Sequence, residues 1–170
     1  MKILIPLLCL CLTAVSPLKA QDKGDSYKSV DQLVTALYEV ISGPAGERDW
    51  DFMRSLFHEK AIMGSMRMDA DGNRVYRNFS VDEYIRNSGP YFLENGFFEL
   101  ETGSTSDTFG ELVHRFSAYS SQRTADGPVF ARGINSIQCV FEKERWWIVS
   151  IQWNTERDDL MIPKELRNSN

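Results

Sequence analysis

The stretch RGINSIQCVFEKERWWIVSIQWN, Arg132 to Asn154, constrains the fold more than any other part of the chain. Two runs rich in β-branched and aromatic residues flank the polar, turn-length EKER, so they pair as an antiparallel hairpin. Both faces of that hairpin carry apolar side chains, and neither face can be left bare to water. Two further runs, GFFELETGS and ELVHRFSAYSSQ, precede it, and TADG makes a second short connection into PVFARGINSIQCVFE. The last half of the chain therefore reads as a meander of antiparallel strands.

Helical patterns come first. Ser29 with Gln32 three residues on forms a capping signal, and Leu33, Leu37, Val40 and Ile41 share one helical face before Gly43-Pro44 stops the run. Trp50, Met53, Leu56 and Phe57 mark a short second helix ending near His58, and Ser80 with Glu83 opens a third that Gly89-Pro90 should end or kink. Between these two helices, AIMGSMRMDADGNRVYRNF reads as two short strands around a DADG turn. The turn fails as a calcium loop: with Asp69 and Asp71 at the third and fifth positions, Arg67 and Asn78 would stand where carboxylates are needed. The pattern predicts an α+β domain in which three N-terminal helices cover one face of a curved antiparallel sheet and enclose a pocket.

Residues 1–20, MKILIPLLCLCLTAVSPLKA, have the basic start, short apolar run and small final residue of a secretory signal, and the run is too short to span a bilayer. Leu8 and Leu10 precede Cys9 and Cys11, where a lipoprotein signal needs a small residue. The expected organisation is a signal peptide at 1–20, a polar leader at 21–28, one domain at 29–156 and a C-terminal tail at 157–170, with the product exported to a periplasm or beyond the cell. Export without the signal leaves 17 basic against 24 acidic residues, a net charge of about −7, which disfavours nucleic acid as a partner. Cys139 then has no internal disulfide partner. In the tail, Leu160, Met161 and Ile162 before Pro163 are expected to dock onto the body.

Side-chain alternation assigns the sheet faces once a register is chosen. Pairing Phe141 with Trp146 and Arg123 with Pro128 gathers His114, Phe116, Asn135, Trp146, Ser150 and Gln152 on one surface, mixed with small and apolar residues as a pocket wall would be. The other surface collects Trp147, Val149, Ile151 and Trp153, an apolar stripe that a second copy of the chain would cover in a homodimer. A register error of one residue would exchange the faces.

His114 is the candidate catalytic group, an imidazole able to move a proton near neutral pH; a core histidine held by one hydrogen bond is the plainer reading. Phe116, Asn135, Trp146, Ser150 and Gln152 are the candidate ligand contacts, the amides and hydroxyl either orienting a ligand or plugging the space among themselves. His58 reads as a helix C-terminal donor. Cys139 reads as a small buried hydrophobe, and Ser120-Ser121 carries no nucleophile motif. Two distant histidines without partners at ligand spacing imply no metal, and no motif calls for a cofactor.

WDFMRSLFH, AYSSQR, RGINSIQ and RWWIVSIQW, in this order of helices and strands, resemble the nuclear transport factor 2-like superfamily over roughly Val30 to Asn154, and within it a secreted bacterial branch with the ketosteroid isomerase-like cone. The resemblance implies a cone of helices and curved sheet around a deep pocket, often in dimers. Activities in such proteins run from ketosteroid isomerisation, polyketide cyclisation and dehydration to binding or scaffolding alone. The known catalytic sets do not map onto this chain: no tyrosine with two pocket aspartates, and no Asp-Arg-Asp set, can be placed. No acid falls on the inward face of the strands expected to line the pocket, which leaves Asp49 or Asp51 as helical alternatives. The expected function is an exported module binding a small, mostly apolar molecule. The alternatives are a cofactor-independent isomerase, cyclase or dehydratase working through His114, and a structural or interaction domain.

Overall fold

The computed structural model describes residues 23–167, so the signal-like segment at 1–20 lies outside the described residues. Part of the polar leader is folded: a 3-10 turn at Asp25–Tyr27 packs beside the first helix, and Tyr27 shares a 2.6 Å hydrogen bond with Ser55.

Helix α1, Val30–Ile41, starts where Ser29 Oγ accepts from the Gln32 N–H at 3.2 Å, and it buries Leu33, Val34, Ala36, Leu37, Val40 and Ile41. Helix α2, Trp50–Leu56, is capped by Asp49, whose carboxylate accepts from Phe52 N–H at 2.9 Å. It ends two residues earlier than the spacing predicts, because Phe57 already enters strand β1, Phe57–Met68. His58 therefore sits on a strand, 3.6 Å from the Glu142 carboxylate and edge-on to Trp147, and caps no helix. Asp69 organises the DADG turn by accepting from the backbone N–H of both Asp71 and Asn73, and β2 follows at Arg74–Phe79. Helix α3, Val81–Glu94, has the full Ser80/Glu83 capping box and runs on through Pro90 instead of ending there. The cost is one intrahelical bond.

Strands β3 (Phe98–Phe109), β4 (Leu112–Gln122), β5 (Val129–Glu142) and β6 (Arg145–Thr155) form the expected meander. The whole sheet has the order β2-β1-β6-β5-β4-β3. It is mixed and not purely antiparallel, because β6 ends the meander with a free edge and β1, running the same way, fills it. Helix α3 carries the chain from one edge strand, β2, to the other, β3.

Two local features exchange the faces assigned from the sequence. Strand β4 is offset from the expected register, with Ser121 opposite Ala131 and Ser117 opposite Asn135. The β5–β6 pair begins as expected, Phe141 opposite Trp146 and Cys139 opposite Ile148, but the register then shifts so that Gln138 faces Ser150 and Val149 is left without a partner. This β-bulge moves every later β6 residue to the other side. The face toward the helices therefore carries Val113, Ser117, Tyr119, Asn135, Ile137, Cys139, Ile148, Ile151 and Trp153, with Ile137 and Ile148 fully buried.

The Trp147–Trp153 stripe is accordingly not one surface. Ile151 is core, and Trp153 packs edge-on against Phe79 and Tyr84. Trp147 is on the opposite side, with the Arg145 guanidinium stacked 3.6 Å from its ring. The reason for a homodimer through that stripe falls with it. The tail docks, though not through all the residues expected: Ile162 and Leu166 pack on Ala118 and Ile134 of the helix-free face, while Leu160 and Met161 are exposed.

The β5–β6 loop is the two residues Lys143 and Glu144, with φ of 53° and 62°. Both lie in the left-handed region that two-residue hairpins require and that asparagine and glycine occupy more cheaply. Replacing them together, Lys143→Asn with Glu144→Gly, is expected to raise the unfolding free energy by about 1–2 kcal/mol. Urea denaturation would report it as a higher midpoint at unchanged slope.

Candidate functional site

Between α1, α3 and the helix-facing side of the sheet lies a cavity of about 220 Å³. Its walls are mostly hydrocarbon: Leu37 and Ile41 of α1, Met53 of α2, Met63 of β1, and Phe97, Phe130, Ile151 and Trp153. Six polar side chains reach it, Tyr38, Tyr84, Glu99, Tyr119, Ser121 and Asn135. Alternation places them: Glu99 on β3 is opposite Ser121 on β4, and Asn135 on β5 is opposite both Ser117 and Trp153. Gly133 makes room for one of them, since a Cβ there would lie 2.4 Å from the Tyr119 hydroxyl.

The polar groups form a directed chain. Arg115 grips Glu101 through two guanidinium nitrogens, at 2.9 and 2.5 Å, and reaches Asp31 of α1 at 2.7 Å. Ser117 Oγ donates to Glu101 at 2.6 Å, so its hydrogen is committed and the Tyr38 hydroxyl must be the donor in the 2.6 Å Tyr38–Ser117 bond. Tyr38 in turn accepts from Asn135 Nδ2 at 2.9 Å. Asn135 also bonds Glu99, to which Ser121 Oγ donates at 2.7 Å. The chain thus runs from an ion pair at the surface to a carboxyl in the cavity wall.

That carboxyl has unusual acidity. Glu99 is only half-buried by area, yet the packed surroundings desolvate it and raise its pKa from 4.5 to about 7, against the opposing pull of its bonds to Ser121 and Asn135. Burial raises the tyrosines as well, Tyr119 to about 12 and Tyr38 and Tyr84 beyond that, with the charge of Glu99 adding to each. Near neutral pH the cavity therefore presents one titrating carboxyl among neutral phenols.

Of the residues singled out from sequence, Asn135 lines this cavity. Trp146 is on the helix-facing side, but it packs against the core and Phe141 and is not a lining residue. His114, Phe116, Ser150 and Gln152 are on the opposite face. His114 Nε2 bonds Ser136 Oγ at 3.0 Å, and its ring meets Phe116 edge-on at 5.0 Å. Gln152 Nε2 donates to Ser150 Oγ at 3.0 Å. Phe116 and Gln152 line a different, more open depression of about 410 Å³, bounded by Met66, Tyr76 and the tail. The offset of β4 and the bulge at Val149 account for all four. Asp49 and Asp51 are spent on Lys23 with the α2 cap and on Arg54.

The expectation of no inward-facing acid is also corrected, by Glu99 and Glu101. Their signal was the alternation of Phe97, Glu99 and Glu101 in GFFELETGS, which becomes readable only when β3 is placed in register with β4.

No family model matches the sequence, and no curated protein matches it. Solved structures do. A protein of unknown function with a cystatin-like fold from Nostoc punctiforme aligns at 10% identity over 76% of this chain and 90% of its own, with a TM-score of 0.58. The beta subunit of a putative aromatic-ring-hydroxylating dioxygenase from Novosphingobium aromaticivorans aligns at 11% identity over 85% and 97%, TM-score 0.57. A nuclear transport factor 2-like protein of unknown function from Methylobacillus flagellatus aligns at 14% identity over 76% and 95%, TM-score 0.51. The chain has the nuclear transport factor 2-like fold.

The acidity of Glu99 has a consequence for stability. Its folded pKa, about 7, lies above the ordinary 4.5, so the native state keeps a proton that the unfolded chain has lost. The resulting stabilisation is complete below about pH 4.5 and is lost as pH rises to about 7. Glu99→Gln removes this dependence and should gain stability over the wild type, on the order of 2–3 kcal/mol, between pH 5 and pH 8. Denaturant titrations of both proteins at the two pH values would show it.

Proposed function

We propose that the protein binds a small, mostly apolar molecule in the cavity between α1, α3 and the sheet. The observation that carries this reading is the composition of the cavity wall: hydrocarbon and aromatic rings with a few converging polar groups, Glu99, Asn135 and Tyr38 among them. Size limits the occupant. An apolar cavity of about 150 Å³ admits a benzene ring, so about 220 Å³ suits a single ring or a short branched chain with one polar arm. A multi-ring skeleton is too large. The signal-like segment at 1–20 supports export to a periplasm or to the outside of the cell.

Glu99 favours a second reading, a cofactor-independent isomerase, cyclase or dehydratase. A carboxyl with a pKa of about 7 can both take and return a proton at physiological pH. In that reading Glu99 replaces His114, which faces the other side of the sheet. Binding comes first in both readings and is the part to test.

Titration calorimetry with a panel of monocyclic compounds should find saturable binding. His114→Ala should leave the affinity within about twofold, and Ala131→Trp, which fills the cavity from β5, should lower it at least tenfold. Binding that survives Ala131→Trp but is lost in His114→Ala would place the site on the opposite face and overturn the reading.

A further inference from the structure

The chemistry of the cavity narrows the ligand further, on the reading that the cavity is a binding site. Both protein partners of the Glu99 carboxyl, the Ser121 hydroxyl and the Asn135 amide nitrogen, are donors. The Tyr38 hydrogen, which might have been a third donor, is turned away to Ser117. Donated bonds suit the ionised carboxylate, yet no Lys, Arg or His is among the lining residues. A buried carboxylate without a cation is costly, and here that cost appears as a raised pKa.

The remaining wall meets the other requirement of a cation. Six aromatic residues, Tyr38, Tyr84, Phe97, Tyr119, Phe130 and Trp153, line the same small space, and of these the Phe130 ring already carries the Arg123 guanidinium at 4.2 Å. Ring faces attract ammonium groups when water is excluded, and a carboxylate beside them supplies the opposite charge and the hydrogen-bond acceptor. We propose that the ligand is a small amine, monocyclic or short-chained, bound as its ammonium ion with the N–H groups on Glu99 and the hydrocarbon against the aromatic wall. An anion is disfavoured by the same carboxylate, and a neutral alcohol would gain only one ordinary hydrogen bond.

The protons balance in a way that can be measured. Alkylamines arrive protonated below about pH 10, while Glu99 in the empty protein is still largely protonated at pH 6. Binding the ammonium ion favours the carboxylate, so the Glu99 proton leaves to solvent as the ion pair forms. The other titratable groups facing Glu99 are Tyr38 on α1, Tyr84 on α3 and Tyr119 on β4, all raised away from neutrality by burial. Beyond them, the Arg115–Glu101–Asp31 cluster is paired within itself, and Arg48 acts on Tyr84.

The experiment is calorimetry of the protein with benzylamine, benzyl alcohol and benzoate at pH 6, repeated in two buffers of different ionisation enthalpy. Benzylamine is expected to bind at least tenfold more tightly than benzyl alcohol, with a buffer-dependent heat that reports release of most of one proton per site. Glu99→Gln should bring benzylamine down to the affinity of the alcohol while leaving the alcohol within about threefold. Equal affinities for amine and alcohol in the wild-type protein, or tightest binding of benzoate, would overturn the amine assignment and leave the binding reading standing. Failure of all three probes to bind would overturn both. The wild-type comparison decides the matter even if the variant does not fold.

Discussion

The hydrogen bond from Tyr38 to Ser117 joins the first helix to the middle of the sheet, and the geometry of the cavity depends on it. Ser117 is the acceptor in that bond, since its own hydrogen goes to Glu101, which Arg115 holds in place. Tyr38 accepts from Asn135 through a lone pair while its hydrogen goes to Ser117. One ion pair near the surface thereby fixes the orientation of an amide and a phenol several residues inward, and the amide reaches Glu99. A polar network in a low-dielectric interior is worth keeping only when every member is satisfied, and this one is directed throughout.

The cavity exists because the helices do not fill the concave side of the sheet. Helix α1 packs along the sheet's buried centre, where Ile137, Cys139 and Ile148 leave no space. Nearer α3, the large rings of Tyr84, Phe97 and Trp153 stand around a gap. Packing at one end and vacancy at the other are common to a binding protein and an enzyme. The fold alone does not choose between them. The choice rests on the side chains, and Glu99 is the group in the wall able to change charge near neutral pH.

The helices, the hairpin and the order of the last four strands were legible in the sequence because each rests on local signals: capping residues, apolar spacing and polar turns. The parallel pairing of β1 with β6 joins distant segments and has no such signal. Two helices differ in extent from the sequence reading: α2 stops at Leu56 because Phe57 already enters β1, and α3 runs through Pro90 because packing outweighs the loss of one hydrogen bond. The site was far less legible, because it depends on which face each residue takes, and face depends on register. A single unpaired residue, Val149, sent Ile151 and Trp153 inward and Ser150 and Gln152 outward. Val149 is β-branched and apolar like its neighbours, and nothing in WWIVSIQW marks it as a bulge. The offset of β4 did the same to His114 and Phe116. Asn135 was placed correctly because its strand was the reference for both pairings. Glu99 was within reach of the same alternation argument, but its strand had no register until β3 was set against β4.

The most direct test of this account is an NMR titration of the Glu99 carboxyl carbon in the empty protein, assigned by comparison with Glu99→Gln. Desolvation in the cavity wall predicts a midpoint near 7. A midpoint close to the ordinary 4.5 would mean that water reaches the carboxyl freely, and that the desolvated cavity wall on which the functional reading stands does not exist in solution.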